Sequence, residues 1–286
     1  MNHERGQQFL LELPSLKHDL PYSSAMLSTL FVQTDSGSTA SLHDVAETIN
    51  QDQGLTIKVL RLANSAFYGL QSEVNTVLRA VSILGLNEIR TLVLALGVSS
   101  LARKAIFPDG FDLKQYWTHQ LSVAVIASEL ATRQPDLDAD NLFTSGVLHD
   151  VGKIITALHR SDDFAAIYHM VHDEAMSYPD AEDQYWGLEH GVIGSMVLKS
   201  WYLPEELTEP VNWHHSPIHA PSFKKQALTL CTADALAHLL DDPEYPHNCP
   251  WQRVVSKFGL KEVEAVETMS AVLESRNIEQ LAQALM

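Results

Sequence analysis

Residues 146–153 read GVLHDVGK. A histidine and an aspartate stand side by side in a run that otherwise has the pattern of a buried helix, with Val147 and Leu148 before them and Val151, Ile154 and Ile155 after. Burying both side chains is costly unless something satisfies them. That something is a metal ion, the other side chain, or a backbone partner. The dipeptide by itself carries little information, because His-Asp occurs four times in the chain. His18-Asp19 sits between Lys17 and Leu20-Pro21, in what reads as a loop. His172-Asp173 precedes Glu174 on a polar segment. His43-Asp44 leads into VAETIN and suits a helix start, where a short acceptor side chain satisfies free N–H groups. Only His149-Asp150 is flanked by apolar runs on both sides.

Composition sets the frame for that pair. The chain has 286 residues, of which 45% are hydrophobic and 19% charged, so a packed core is expected in one large domain or two ordinary ones. Lys and Arg total 19 against 36 Asp and Glu, a formal charge of −17. A general nucleic-acid binder needs a basic surface to displace phosphate counterions, so that class is excluded. A small anionic ligand held by a local metal is not. Two cysteines, Cys231 and Cys249, form no disulfide framework and fit a reducing compartment. The opening MNHERGQQFL has no apolar core of the signal-peptide kind. The longest uncharged apolar stretch, Thr91 to Ala102, has 12 residues and is too short for a bilayer. A soluble cytoplasmic protein is expected.

Helical periodicity dominates, and no convincing alternating strand appears, so the expected class is all-α. Leu55, Val59, Leu62 and Ala66 share one helix face after a break near Asp52 to Gly54. Helices are expected at Val77–Leu84 and Leu86–Arg103, with Gly85 turning the chain between them. FPDGFD at 107–112 is the clearest punctuation and separates two lobes. His119, Val123, Ile126 and Leu130 line one face of the next helix, and residues 141–160 read as a single helix through His149-Asp150. A helix ends before Pro204, a short one stops ahead of Pro217, and KKQALTLCTADALAHLL (224–240) reads as a buried helix. Two amphipathic helices follow the Pro-rich loop 241–250. The expected organisation is a tail over 1–12, an N-terminal helical lobe over 13–108, a second lobe over 109–240, and a C-terminal loop with helices over 241–286.

Several polar residues interrupt apolar helices: His119, His149, Asp150, His190, His214, His215 and Asp234. Neutral imidazole and carboxylate suit Zn, Fe, Ni or Mn. A helical bundle supplies such ligands from facing helices, one or two per helix. Each histidine alone also fits a satisfied core position, and His214-His215 fits a solvated helix end. Asp234 is odder, since unpaired buried carboxylates are rare. Small neighbours, Ser145, Gly146 and Gly152 beside His149 and Gly194 beside His190, are expected to leave room for an ion. Lys153, one turn after the pair, is placed to pair with Asp150 or meet an anion.

The order His119, His149-Asp150 in HDVGK, then Asp234 resembles the HD superfamily of metal-dependent phosphohydrolases. VLRLANSAFYG (59–69), AVSILGLNEIRTLVL (80–94), YWTHQLSVAVIASELA (116–131), EHGVIGSMVLKSWYLP (189–204) and NWHH (212–215) narrow the resemblance to the HDOD family, the HD-related output domains of bacterial signalling proteins. It runs from about Leu13 to about Leu240. The resemblance implies a two-lobed all-helical fold whose second lobe holds the HD core. It implies that Asp150 bridges two divalent ions. His119, His149 and Asp234 would then hold one ion, and His190 with one or both of His214 and His215 the other. Lys153 would face a substrate phosphate. Relatives that cleave cyclic dinucleotides carry Gly-Tyr-Pro after the histidine pair, where this chain has SPIHAPSF. Two roles follow as expectations: a signalling output that binds a signalling protein or a small phosphorylated ligand, or an active phosphohydrolase on a nucleotide or other phosphoester. Neither nucleic acid nor membrane is an expected partner.

Overall fold

A computed structural model of the chain describes residues 3–14, 24–34, 37–102, 106–242, 244 and 249–286. Every regular element among them is a helix. His18-Asp19 lies outside the described residues. Helix α1 (His3–Glu12) forms where a tail was expected. The reason is burial of Phe9 and Leu13, with the Phe9 ring stacked 5.8 Å from Trp186 of the second lobe. Arg5 and Glu12 add ion pairs to Asp163 and Arg160.

The N-terminal lobe comprises α2 (Ser24–Thr34), α3 (Leu42–Asn50), α4 (Gln53–Ala63), α5 (Val77–Leu84) and α6 (Leu86–Ala102). The expected breaks fall where local chemistry sets them. Asp52 caps α4 by accepting from Leu55 N at 2.8 Å. Gly85 turns the chain with φ 84°, a conformation that costs glycine nothing. Asp44 is the third helical residue of α3 and closes a capping box with Ser41, so the His43-Asp44 pair does serve a helix start. Asn64 pins the following loop through paired bonds to Val74 N and O, each 2.7 Å.

The second lobe runs α7 (Leu113–Thr132), α8 (Ala139–Leu148), α9 (Val151–His159), α10 (Ser161–Asp173), α11 (Tyr178–Trp186), α12 (His190–Ser200), α13 (Glu205–Trp213) and α14 (Lys224–Asp241). After it come α15 (Trp251–Val254), α16 (Glu262–Ser275) and α17 (Ile278–Leu285). One apolar core is continuous from Leu55 and Leu94 of the first lobe through Trp117 and Ile154 to Val197 and Trp201 of the second. A second core cluster lies between α7, α14 and α16, around Ile126, Leu236 and Met269. Helix α17 closes over α4, α6 and α7. Its Ile278, Leu281 and Leu285 are buried, which contributes about 2 kcal/mol apiece. Ser99 and Arg61 donate to its terminal carbonyls of Leu285 and Ala284.

The single helix expected over 141–160 is two helices. Helix α8 stops at Leu148 and α9 starts at Val151, with Asp150 at φ −99°, ψ 16° between them. Close packing sets the neighbouring positions. A Cβ on Gly146 would stand 2.4 Å from Ala124 Cα of α7, and one on Gly152 would stand 2.0 Å from His190 O of α12. These glycines, with Gly194 against Val151 and Gly152, therefore let backbones touch; they do not serve chiefly to leave space for an ion. The contact brings the His149-Asp150 junction up against α7 and α12.

Candidate metal centre

The junction is the pivot of a cluster drawn from six helices and their ends. Asp150 Oδ1 lies 2.9 Å from His190 Nε2 and 3.8 Å from His214 Nε2. Its other oxygen lies 2.7 Å from Lys153 Nζ, 3.4 Å from His149 Nε2 and 3.8 Å from His119 Nε2. Asp234 of α14 stands across from it, 3.1 Å from His119 Nε2 and 3.6 Å from His149 Nε2. His215 Nε2 is 2.9 Å and His214 Nε2 3.3 Å from His190 Nε2. All seven residues singled out in the sequence meet in one place, and both members of the His214-His215 pair take part.

The outward nitrogens explain why the inward ones converge. His149 Nδ1 donates to Gly146 O at 2.8 Å and His214 Nδ1 to Val211 O at 2.6 Å. A carbonyl only accepts, so each Nδ1 carries its hydrogen and each Nε2 can offer a lone pair. His190 is held by Glu182 of α11, whose Oε2 accepts from both His190 N at 2.8 Å and Nδ1 at 2.7 Å. Tying the far nitrogen to a carbonyl or carboxylate is the usual way a protein aims a ligand histidine.

Two residues here were missed in the sequence. Glu182 shares an apolar face with Tyr178, Ala181 and Trp186, so its signal was a carboxylate at a core position. His238 sits one turn after Asp234 on α14, with its Nε2 3.5 Å from Asp234 Oδ1 and its ring 4.2 Å from that of His119. The i, i+4 spacing was the available signal.

Charge is arranged to match. Burial opposes charging His149, but Asp150 and Asp234 outweigh it and push the imidazole up to about 9. Burial likewise opposes a charged His190, while Glu182 and then Asp150 push it up to about 9. Burial, with His149 and His190 nearby, drives His214 down to about 3, and burial with His214 holds His215 well below its usual value. Burial works against ionised Asp150, yet His149 and Lys153 keep its carboxyl well below the usual carboxylate range. The same contest at Asp234 is won by His238 and His119.

These donors fit a metal. His149 Nε2 and Asp150 Oδ1 are buried without an aligned hydrogen-bond partner among the described residues, although charged groups stand close by. Three overlapping groups each hold their donor atoms within 4.8 Å: Asp150 with His190, His214 and His215; His119 with His149 and Asp150; and His119 with Asp234 and His238. Asp150 belongs to the first two, as a bridging carboxylate would. A cleft of about 240 Å³ opens onto Asp150, His119 and Lys153. A larger cavity of about 450 Å³, bounded by Phe67, Leu84, Phe143 and Arg276, shares none of these residues.

An all-helical fold with a His-Asp pair at the junction of two helices, ringed by five more histidines, defines an HD-type domain. The chain belongs to the HDOD domain family, whose model matches residues 20–217; Asp234 and His238 lie beyond the matched segment. The chain is 26% identical to a structure of a candidate phosphohydrolase from Shewanella amazonensis, with a TM-score of 0.73 over 96% of this chain and 98% of that one. An HDOD domain protein of unknown function from Geobacter sulfurreducens has the same fold, at 23% identity and a TM-score of 0.74 over 99% and 97% of the two chains. An uncharacterized protein from Treponema pallidum is 24% identical over 237 residues, 82% of this chain and 45% of that one. The chain thus spans about half the length of that curated relative. No single described helix is long and apolar enough to cross a membrane.

Proposed function

We propose that this chain holds two divalent transition-metal ions (Fe, Mn, Zn or Ni) and hydrolyses a phosphoester in the service of a cytoplasmic signalling pathway. The observation that carries the reading is the convergence of complete donor groups on both oxygens of Asp150. His119, His149 and Asp234 would hold one ion, His190, His214 and His215 the other, with Asp150 shared. Bound there, the ions would polarise a phosphoryl oxygen and supply a nucleophilic hydroxide near neutral pH. The chain's own residues have distinct tasks. Lys153 faces the cleft and presents a positive charge to the phosphate. Glu182 holds His190 in register. The similarity to the candidate phosphohydrolase from Shewanella amazonensis supports the same chemistry. The free thiols of Cys231 and Cys249 suit a reducing compartment.

A panel of phosphomonoesters and phosphodiesters, assayed with each metal, tests the reading. Turnover abolished by Asp150→Ala supports it. Absence of turnover with every loaded metal sinks it. That result leaves a second reading, a non-catalytic module binding a signalling protein or small ligand, favoured by the larger cavity at the lobe junction.

A further inference from the structure

The larger cavity, of about 450 Å³, lies where both lobes meet α16. It falls within the roughly 300–1,000 Å³ of ordinary ligand pockets. Leu70 lines it from the loop after α4, Ile83 and Leu84 from α5, Phe143 from α8 and Val272 from α16. Each of these side chains keeps part of its surface exposed, so the cavity offers an uncovered apolar wall.

Glu88 of α6 reaches the same cavity and is mostly buried. Among the described residues its carboxylate has one hydrogen bond, accepted from the Tyr68 hydroxyl at 2.5 Å, and no ion pair. Burial and the Glu88 charge keep that phenol protonated, hence the donor. Asp140 lines the cavity from α8, accepts from Asn87 Nδ2 at 2.7 Å, and also has no ion pair among the described residues. Burial most of all, countered by the Tyr68 bond and reinforced by Asp140, pushes the Glu88 carboxyl above its usual range. A carboxylate drawn out of water with no cation beside it is costly. The arrangement points to a cation that the chain does not itself supply.

The spacing argues against a bare metal ion. Groups of three or more close donor atoms occur among the described residues only around Asp150 and Asp234, and no acid of this cavity belongs to one. A third lining carboxylate, Glu129, is engaged by Arg133 at 3.0 Å. Arg276 brings one positive charge to the α16 end, 5.7 Å above the Phe67 ring. Two unpaired carboxylates beside an apolar wall suit a cation that has an apolar body.

We infer that this cavity binds a small organic amine as its ammonium ion. The ammonium group donates to Glu88 and Asp140, and the hydrocarbon lies along Leu84, Phe143 and Val272. The site is separate from the metal centre, shares no residue with it, and stands whether or not that centre hydrolyses a phosphoester.

The test is calorimetric titration of the whole chain at pH 8 with hexylamine, methylamine, hexanol and hexanoate, each with and without chelator. Hexylamine alone combines the charge with the apolar body. It is expected to saturate one site at least about tenfold tighter than each of the other three, with chelator making no difference. Glu88→Gln keeps the shape and an acceptor for Tyr68. It is expected to weaken hexylamine by about tenfold or more and hexanol by less than about twofold, at an unchanged or raised melting temperature. Ile83→Ser, at a partly exposed position, should weaken hexylamine and leave methylamine unaltered. Hexanoate binding tightest would move the recognition to Arg276 and overturn the assignment. So would hexylamine binding that does not saturate, that disappears with chelator, or that Glu88→Gln leaves at the parent's strength. Equal weakening of hexylamine and hexanol by Glu88→Gln would make the residue structural and overturn it as well.

Discussion

If the chain holds two ions as proposed, replacing Glu182 by Gln should weaken one site and spare the other. The Glu182 carboxylate is buried, and among the described residues its hydrogen bonds go to His190 alone, at the backbone N and Nδ1. Glutamine keeps the shape and one acceptor but removes the charge that makes His190 a strong donor. Substitutions of such supporting partners typically cost 10–100-fold in metal affinity, or about 1.4–2.7 kcal/mol. No hydrogen bond or ion pair joins His119, His149 or Asp234 to Glu182 among the described residues, so the ion they would hold should keep its affinity within about threefold. Competition against chelators of graded strength, followed by metal analysis, resolves the two steps. In metal-free protein the same change breaks a buried, charge-assisted bond worth about 1.5–3 kcal/mol. It should lower the denaturation midpoint at pH 7. Equal weakening of both ions, or of neither, would refute the division of ligands between two sites.

Lys153→Met should leave metal content unchanged and lower phosphoester kcat/KM by about 100-fold, measured by steady-state kinetics, since a charged bond to phosphate is lost in a dry site. Gly152→Ala should destabilise the fold by about 3 kcal/mol or more and lower metal occupancy, because the new Cβ meets His190 O at 2.0 Å; equilibrium denaturation reads the loss. Metal-free protein should lose stability as pH rises from 6.5 to 9. The folded state favours charged His149 and His190, so their contribution is complete below about 6.5 and is lost as pH passes about 9. Each is worth at most a few kcal/mol. His214, driven down to about 3, acts oppositely, and its contribution falls away as pH drops below 6.5. Urea denaturation in chelator should therefore show a maximum near pH 6.5. Loading an ion must expel the protons on His149 and His190, so metal affinity should rise with pH over the same interval.

Local signals fixed much of the fold in advance. Gly85 and Asp52 act through their own backbone and side-chain chemistry, and the helix boundaries beside them fell where the sequence placed them. The seven polar interruptions of apolar helices were also legible, because a buried charge demands a partner wherever it sits. What periodicity could not carry was distance. The break at His149-Asp150 hid inside an unbroken apolar pattern, since α8 and α9 bury matching faces on either side of it. Glu182 lies eight residues before His190 across a turn at Gly187, so no helical spacing links them. The glycines beside the pair read as empty space, and only the packed backbone shows that Gly146 and Gly152 are occupied by Ala124 and His190. Helix α1 was read as a tail because its partner Trp186 is remote in sequence.

Whether Asp150 holds two ions at once is decided by elemental analysis of untagged protein, purified without chelator beside Asp150→Ala. Two equivalents of transition metal per chain, with both lost or strongly depleted in a variant that keeps its helical circular dichroism, is the predicted result. No bound metal after loading with Mn, Fe, Zn and Ni in turn, or an Asp150→Ala protein with the parent's full complement, would contradict it.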